Sequence, residues 1–100
     1  MKYNKLVRDK IPEYIKSKGG KPIIHIADDR EYWLKLKEKL QEEINEFIKA
    51  ESIEEMADVL EIIDAIISFK KIDKKELQKV KNIKVKERGR FNSKLILGES

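Results

Sequence analysis

The chain has 100 residues, enough for one domain spanning residues 1–100 with one hydrophobic core, and too few for two. Hydrophobic residues make up 40% and charged residues 42% of it, and the absence of cysteine excludes disulfides, cysteine-based zinc sites and thiol nucleophiles. The net charge of +4 favours anionic partners such as nucleotides, phosphates or nucleic acid, without choosing among them.

We expect no targeting signal from the pattern of the first residues. Met1 to Lys10 lacks the apolar run of a signal peptide. No stretch of about 18 apolar residues, the length that spans a membrane, occurs anywhere. We therefore expect a cytoplasmic protein without a membrane partner.

A short helix and an extended segment are predicted first. Asp9 or Lys10 opens the helix, and Pro12 lies in its first turn, where a missing N–H is harmless. Gly19-Gly20 stops it. Lys21–Ile26 is then predicted to be extended, because its proline and three isoleucines disfavour a helix.

Two long helices are predicted in the middle of the chain. Asp28 or Asp29 caps the first, which runs to about Ala50. The second runs from Ser52 to about Phe69, and Glu55 stands three residues after the serine, as in a capping box. Such a short connection favours an antiparallel pair.

A fourth helix completes the predicted fold. It opens at Asp73, has Glu76 at the capping-box position, and ends at Gly89. Phe91–Leu97 is a second candidate extended segment, which would pair with Pro22–Ile26. The sum is an all-α helical bundle of about four helices, two of them long antiparallel core helices, with a short two-stranded extended pair.

The first long helix has one apolar face with acidic residues beside it. Glu43 flanks this face, Glu46 lies one turn later on the same side, and Glu42 is further round. The face itself follows helical spacing and consists of Trp33, Leu36, Leu40, Ile44, Phe47 and Ile48.

The second long helix is apolar around almost its whole circumference, which is typical of a buried helix. Glu55 and Asp58 nevertheless share a sector with Ile62 and Phe69, and Asp64 lies near Leu60. A carboxylate buried alone is costly, so it takes a proton or finds a cation. These acids therefore need a compensating charge.

A divalent cation is the interpretation that we favour for these acids. Glu43 with Glu46 forms one clamp, and Glu55 with Asp58 forms a second at the same spacing. An antiparallel pair of helices would bring both clamps together. Oxygen donors alone favour Mg²⁺ or Mn²⁺ over Zn²⁺.

Plainer interpretations stay open for each residue. Glu42, Glu43 and Glu46 also fit a solvated face that pairs with Lys39 or other lysines. Glu55 also fits a capping box, and that role is compatible with metal binding through a different oxygen.

The residues resemble a known family pattern. Glu42-Glu43-Ile44-Asn45-Glu46 followed by Glu55-Met56-Ala57-Asp58 resembles the EExxE…ExxD signature of the all-α nucleotide pyrophosphohydrolases, which include MazG-like enzymes, dimeric dUTPases, dCTP pyrophosphatases and phosphoribosyl-ATP pyrophosphohydrolases. The segment Tyr3–Pro12 resembles the opening of a stand-alone MazG-like subgroup, often labelled phosphoribosyl-ATP pyrophosphohydrolase-like.

This resemblance implies a site, a reaction and an assembly. It implies Mg²⁺ ligands at Glu43, Glu46, Glu55 and Asp58. For Glu42 it implies either a further metal ligand or the group that orients or deprotonates water. The implied reaction cleaves a nucleoside triphosphate, or a related ester such as phosphoribosyl-ATP, to a monophosphate and pyrophosphate. The family completes its site as a dimer or tetramer. Candidates for contacts with the base and the phosphates are Asn82, Lys86, Arg88 and Arg90.

Several features keep structural interpretations beside the functional ones. Lys86, Arg88 and Arg90 could instead form the solvated, basic end of a helix. We interpret His25 as structural, and Trp33 as a core residue rather than a base-stacking one. The basic arm formed by Lys5, Arg8 and Lys10, with Tyr3 nearby, fits phosphate binding across an interface as well as local packing against Asp9 and Glu13.

Two other classes of function compete with the enzyme. A non-catalytic helical oligomerisation or interaction module would use the apolar helix as an interface and pair its acids with lysines. A nucleic-acid binder is suggested by the pI of about 9.2, but basic residues alternate with acidic ones and no recognition motif occurs.

Overall fold

A computed structural model of the chain describes residues 4–100. It has four helices in chain order: α1 (Ile11–Ser17), α2 (Asp29–Ala50), α3 (Ile53–Phe69) and α4 (Lys74–Arg88). The predicted all-α helical bundle is therefore confirmed. None of the described helices combines the length and the apolar character needed to cross a membrane.

The predicted two-stranded pair is wrong for the described chain, because residues 4–100 contain no strand. Ile23, Ile26 and Phe91 are almost fully exposed instead. A two-stranded pair without a covering layer is marginal in water, so the extended character of these segments is not enough to pair them.

Side-chain caps fix where the long helices begin. Asp28 accepts a hydrogen bond from the backbone N–H of Glu31 at 2.8 Å, and Ser52 accepts one from Glu55 at 3.2 Å. Asp73 accepts from two N–H groups in the first turn of α4. The predicted N-terminal caps are therefore confirmed, since each oxygen satisfies helix donors that lack an intrahelical partner.

A tight turn joins α2 to α3 and sets their antiparallel arrangement. Glu51 adopts a left-handed conformation with φ of 52°, and its N–H donates to the carbonyl of Phe47 at 2.7 Å. Ser52 is extended and starts the next helix. The chain therefore reverses within two residues, and α2 and α3 form a hairpin.

The other end of this hairpin is held by aromatic packing. The rings of Tyr32 and Phe69 meet edge to face with centroids 5.0 Å apart, and Trp33 stacks on Phe69 at 6.1 Å. One turn further along α2, Leu36 is completely buried. Trp33 is thus half-buried against the end of α3, on the side that its place in the apolar face predicts.

The expectation that α3 is buried on all sides is wrong for the single chain. None of its residues is fully buried, and Leu60 is 54% exposed. Among the described helices, α2 is the one that packs extensively against α3, so the opposite face has no neighbour. Ile48 on α2 is likewise 66% exposed, although it belongs to the predicted apolar face.

Candidate metal centre

Three carboxylates meet in the hairpin near its turn. Glu43 of α2 and Glu55 and Asp58 of α3 each place one oxygen within 4.8 Å of those of the other two. Glu43 lies about 10 Å along α2 from Ala50, and Asp58 about 8 Å along α3 from Ile53, at ~1.5 Å per residue. The antiparallel hairpin therefore brings them to the same level.

Burial differs among these three side chains. Glu43 is 8% exposed and is the buried charged residue of the described chain. Glu55 and Asp58 are half-buried. The cluster thus opens to solvent on the α3 side, which leaves a path for an ion.

Electrostatic repulsion within the cluster opposes the simultaneous ionisation of all three carboxyl groups. Burial raises the pKa of the Glu55 carboxyl above its ordinary value of 4.5, and the charges of Asp58, Glu43, Glu46 and Glu54 raise it further. A proton on Glu55 or a cation in the cluster relieves this repulsion. Glu55 itself makes no ion pair within residues 4–100.

The other two carboxylates already have cationic partners. The Nζ atom of Lys39 lies 3.3 Å from Oε1 of Glu43, one turn away on α2. An Nη atom of Arg8 donates to Oδ1 of Asp58 at 2.8 Å. Pairing of Glu43 with Lys39, which the plainer interpretation of α2 anticipated, is therefore present.

The remaining predicted acids lie around this cluster rather than in it. Glu42 is half-buried and pairs with Lys5 at 3.3 Å and with Lys39 at 3.7 Å. Glu46 is exposed and lies outside the three-carboxylate group, although its charge acts on Glu55. Its position one turn from Glu43 leaves it on the solvent side of the cluster.

The residues predicted to bind substrate are not brought to the cluster within one chain. The side-chain carbonyl of Asn82 accepts a hydrogen bond from Gln78 at 2.8 Å on α4. Lys86, Arg88 and Arg90 are exposed. None of the four lines the cleft beside the carboxylates, because α4 does not pack extensively on the α2–α3 hairpin.

A cleft of about 690 Å³ borders the cluster, within the range of roughly 300–1,000 Å³ that small-molecule sites occupy. The segment that precedes α1 forms one wall, and Glu43 and Asp58 lie on the other. Residues of both walls are Leu6, Val7, Arg8, Asp9, Lys10, Ile11, Tyr32, Leu36, Lys39, Glu43, Asp58, Glu61, Ile62 and Ala65.

The sequence did not predict that Arg8 contacts the carboxylate cluster. The sequence left local packing and an interface role open for the basic arm, and the acids that it contacts are Glu42 and Asp58 rather than Asp9 and Glu13. Arg8 and Asp58 are 50 residues apart, so no local spacing rule connects them. Tyr3 lies outside the described residues.

His25 lies apart from the cleft. Its Nε2 is 2.9 Å from an oxygen of Glu31, and its side chain is 70% exposed. It does not line the cleft, so the structural interpretation is retained.

Comparison with known proteins gives a partial relative. A protein of Mycolicibacterium smegmatis described as uncharacterised is 47% identical over 47 residues, which are 47% of this chain and 48% of the relative. The chain therefore spans about half the length of the curated relative that it matches. No protein-family model matches the chain, and no solved structure matches it.

Proposed function

We propose that this chain is a cytoplasmic, Mg²⁺-dependent nucleotide pyrophosphohydrolase of the MazG-like kind. The observation that carries the proposal is the convergence of Glu43, Glu55 and Asp58 within 4.8 Å. Two helices supply the three carboxylates, and the volume of the adjoining cleft lies within the range of small-molecule sites.

The donor set fits Mg²⁺ or Mn²⁺. All three groups are carboxylates, which are the preferred donors of these hard cations, and one face of the cluster is open for water and phosphate oxygens. When bound, Mg²⁺ supplies charge neutralisation on the phosphates and polarisation of the attacking water. Glu43, Glu55 and Asp58 would hold it, with Glu46 one turn away as a further carboxylate.

The side chains around the cluster supply the remaining chemistry. The carboxylate of Glu42 would accept the proton of the attacking water, and Lys5 and Lys39 hold that carboxylate in place. The water oxygen bonds to the α-phosphorus and the bond between the α-phosphorus and the bridging oxygen breaks. The products are a monophosphate and pyrophosphate.

The proposal includes a homo-oligomer, a dimer or tetramer. The accessible surface of 9685 Å² far exceeds the roughly 5,900 Å² of a compact monomer of 11.8 kDa. The radius of gyration of 18.0 Å also exceeds the ~13 Å of a compact 100-residue domain. A second copy would cover the exposed apolar positions of α3, which are Ile53, Met56, Leu60 and Ile63.

Assembly would also give α4 a role. Lys86, Arg88 and Arg90 lie at or beyond its last turn, and we propose that they reach the phosphates bound by another copy, with Asn82 near the base. The exposed apolar positions of α4, at Leu77, Val80 and Ile83, support its burial against a neighbour.

The decisive measurement is pyrophosphate release from a panel of standard and modified nucleoside triphosphates and from phosphoribosyl-ATP. We expect release that requires Mg²⁺ and is lost in Asp58→Ala. Asp29→Ala is the matched control, since Asp29 is an exposed aspartate of α2 outside the carboxylate cluster, the cleft and the proposed interface. Release that persists in Asp58→Ala, or no release from any compound, would contradict the proposal.

The second candidate is a non-catalytic helical oligomerisation or interaction module. The ion pairs of Lys39 with Glu43 and of Arg8 with Asp58 favour it, because they compensate two of the three carboxylates without a metal. This candidate predicts assembly and stability that are indifferent to Mg²⁺ and Mn²⁺. Its distinguishing result is a folded oligomer that shows neither metal binding nor pyrophosphate release.

A further inference from the structure

The segment from Asn4 to Lys10, here called the N-terminal strap, lies over the carboxylate cluster. Leu6 is half-buried, and the strap forms one wall of the cleft whose other wall carries Glu43 and Asp58. Cations of the strap face acids of the hairpin at two places.

The two cationic contacts of the strap differ in what they touch. Arg8 donates to Asp58, a member of the three-carboxylate group, at 2.8 Å. Lys5 contacts Glu42, which lies outside that group, at 3.3 Å. A divalent ion among the three carboxylates would therefore compete with Arg8 and leave the contact of Lys5 intact.

Exposure of the Arg8 contact favours exchange. The side chain of Arg8 is 59% exposed and that of Asp58 is 40% exposed. Ion pairs with this much solvent around them are weak, because water screens the attraction and two flexible side chains must be ordered. A divalent cation held by three carboxylates would also repel a guanidinium at hydrogen-bond distance.

We propose that Arg8 is an exchangeable counter-ion, which pairs with Asp58 until a divalent ion displaces it and then binds a phosphate group of the substrate. The inference rests on the proposed metal-dependent function. The half-buried side chain of Leu6 keeps the strap on the hairpin during the exchange. A guanidinium suits both partners, since its parallel N–H groups match carboxylate and phosphate oxygens alike.

The first test measures Mn²⁺ affinity by electron paramagnetic resonance without any nucleotide. Arg8→Gln removes the competing cation, so we expect it to bind Mn²⁺ about three- to fivefold more tightly than the natural chain. Lys16→Gln is the matched control, because Lys16 is an exposed lysine of the nearby α1 that neither lines the cleft nor forms an ion pair within the described residues. We expect it to change the affinity less than about twofold.

The second test measures binding of magnesium pyrophosphate by calorimetry at saturating Mg²⁺. We expect Arg8→Gln to weaken it about tenfold, since one charge-assisted contact is lost, and Arg8→Lys to lie between. Lys16→Gln again serves as the control. Circular dichroism of each variant checks that the helices are retained.

The sign of the first result decides the inference. Weaker Mn²⁺ binding in Arg8→Gln would mean that Arg8 orients Asp58 for the metal, and unchanged binding would mean that Arg8 does not compete with it. Either outcome overturns the proposed exchange. Unchanged pyrophosphate binding overturns it as well. If neither the natural chain nor any variant binds Mn²⁺, the proposed function is overturned as well. If pyrophosphate release requires Mg²⁺ but Arg8→Gln changes neither Mn²⁺ nor pyrophosphate binding, only the proposed exchange is overturned.

Discussion

Glu43 on α2 and Asp58 on α3 bring a carboxylate oxygen each to within 4.8 Å, although they belong to different helices. Like charges at this distance repel, and the repulsion grows as water is excluded. Lys39 and Arg8 relieve part of it, and Glu55 adds a third negative group beside them. A divalent ion in this cluster would therefore stabilise the folded hairpin.

Mn²⁺ and Mg²⁺ are expected to raise the melting temperature of the chain. At an ion concentration 100 times the dissociation constant the gain is about 2.7 kcal/mol, which corresponds to a shift of ~10 °C or more. Glu43→Gln should abolish this shift. The exposed Glu38→Gln on the same helix is the control, and an equal shift in both variants would show that the ion binds elsewhere.

Metal binding is expected to weaken as the pH falls towards the raised pKa of Glu55. Protons compete with the ion for this carboxylate, so the loss begins above pH 4.5, the ordinary pKa of the group. Glu55→Gln should flatten the profile and lower the affinity. The check is Mn²⁺ affinity measured from pH 4 to 8; a pH-independent affinity in the natural chain speaks against a carboxylate site.

In the metal-free chain, the contribution of Glu55 to stability should increase as the pH falls, which is the opposite of the pH dependence of metal binding. Because folding raises the pKa of Glu55, this group favours the folded state most below pH 4.5, and the contribution is lost as the pH rises through the folded pKa. Urea unfolding in the presence of a chelator, compared between the natural chain and Glu55→Gln, measures the difference. If the contribution of Glu55 to the free energy of unfolding grows as the pH rises, the pKa of Glu55 is lowered by folding rather than raised.

Glu42→Gln should separate proton transfer from metal binding. Glu42 lies outside the three-carboxylate group, so Mn²⁺ affinity should change less than about threefold. Loss of a general base should lower kcat for pyrophosphate release by about 10²–10⁴-fold. Glu38→Gln is again the control, and a parallel loss of metal binding in Glu42→Gln would make Glu42 a ligand instead.

Leu36→Ala should destabilise the chain by about 2–5 kcal/mol, because Leu36 is completely buried and its truncation leaves a cavity in the core. Urea unfolding at a fixed protein concentration measures this. A cost below about 1 kcal/mol would show that the hairpin is not the stable core.

Leu60→Glu should shift the assembly towards smaller species. Leu60 is 54% exposed in the single chain and shares a face of α3 with Met56 and Ile63. A charge there would be buried without a partner in the proposed interface. Ser68→Glu, at an exposed polar position of the same helix, is the control, and analytical ultracentrifugation measures the mass. An unchanged mass in Leu60→Glu places the interface elsewhere.

Local sequence rules predicted the helices well. The caps at Asp28, Ser52 and Asp73 and the stop at Gly89 are where they were expected, because capping depends on neighbouring residues. The same rules placed Glu55 and Asp58 one turn apart. Their convergence with Glu43 also followed from the sequence, since a two-residue connection leaves an antiparallel hairpin as the outcome.

The tertiary structure decided what surrounds that cluster. Contacts of Arg8 with Asp58 and of Lys5 with Glu42 span 50 and 37 residues, and no periodicity encodes such distances. Burial was misjudged for the same reason: α3 is apolar all round, yet which faces are covered depends on neighbours that the pattern does not name. Sequence by itself thus determined the helices and the register of their acids, whereas packing in three dimensions decided which cations reach them and which apolar surface stays open.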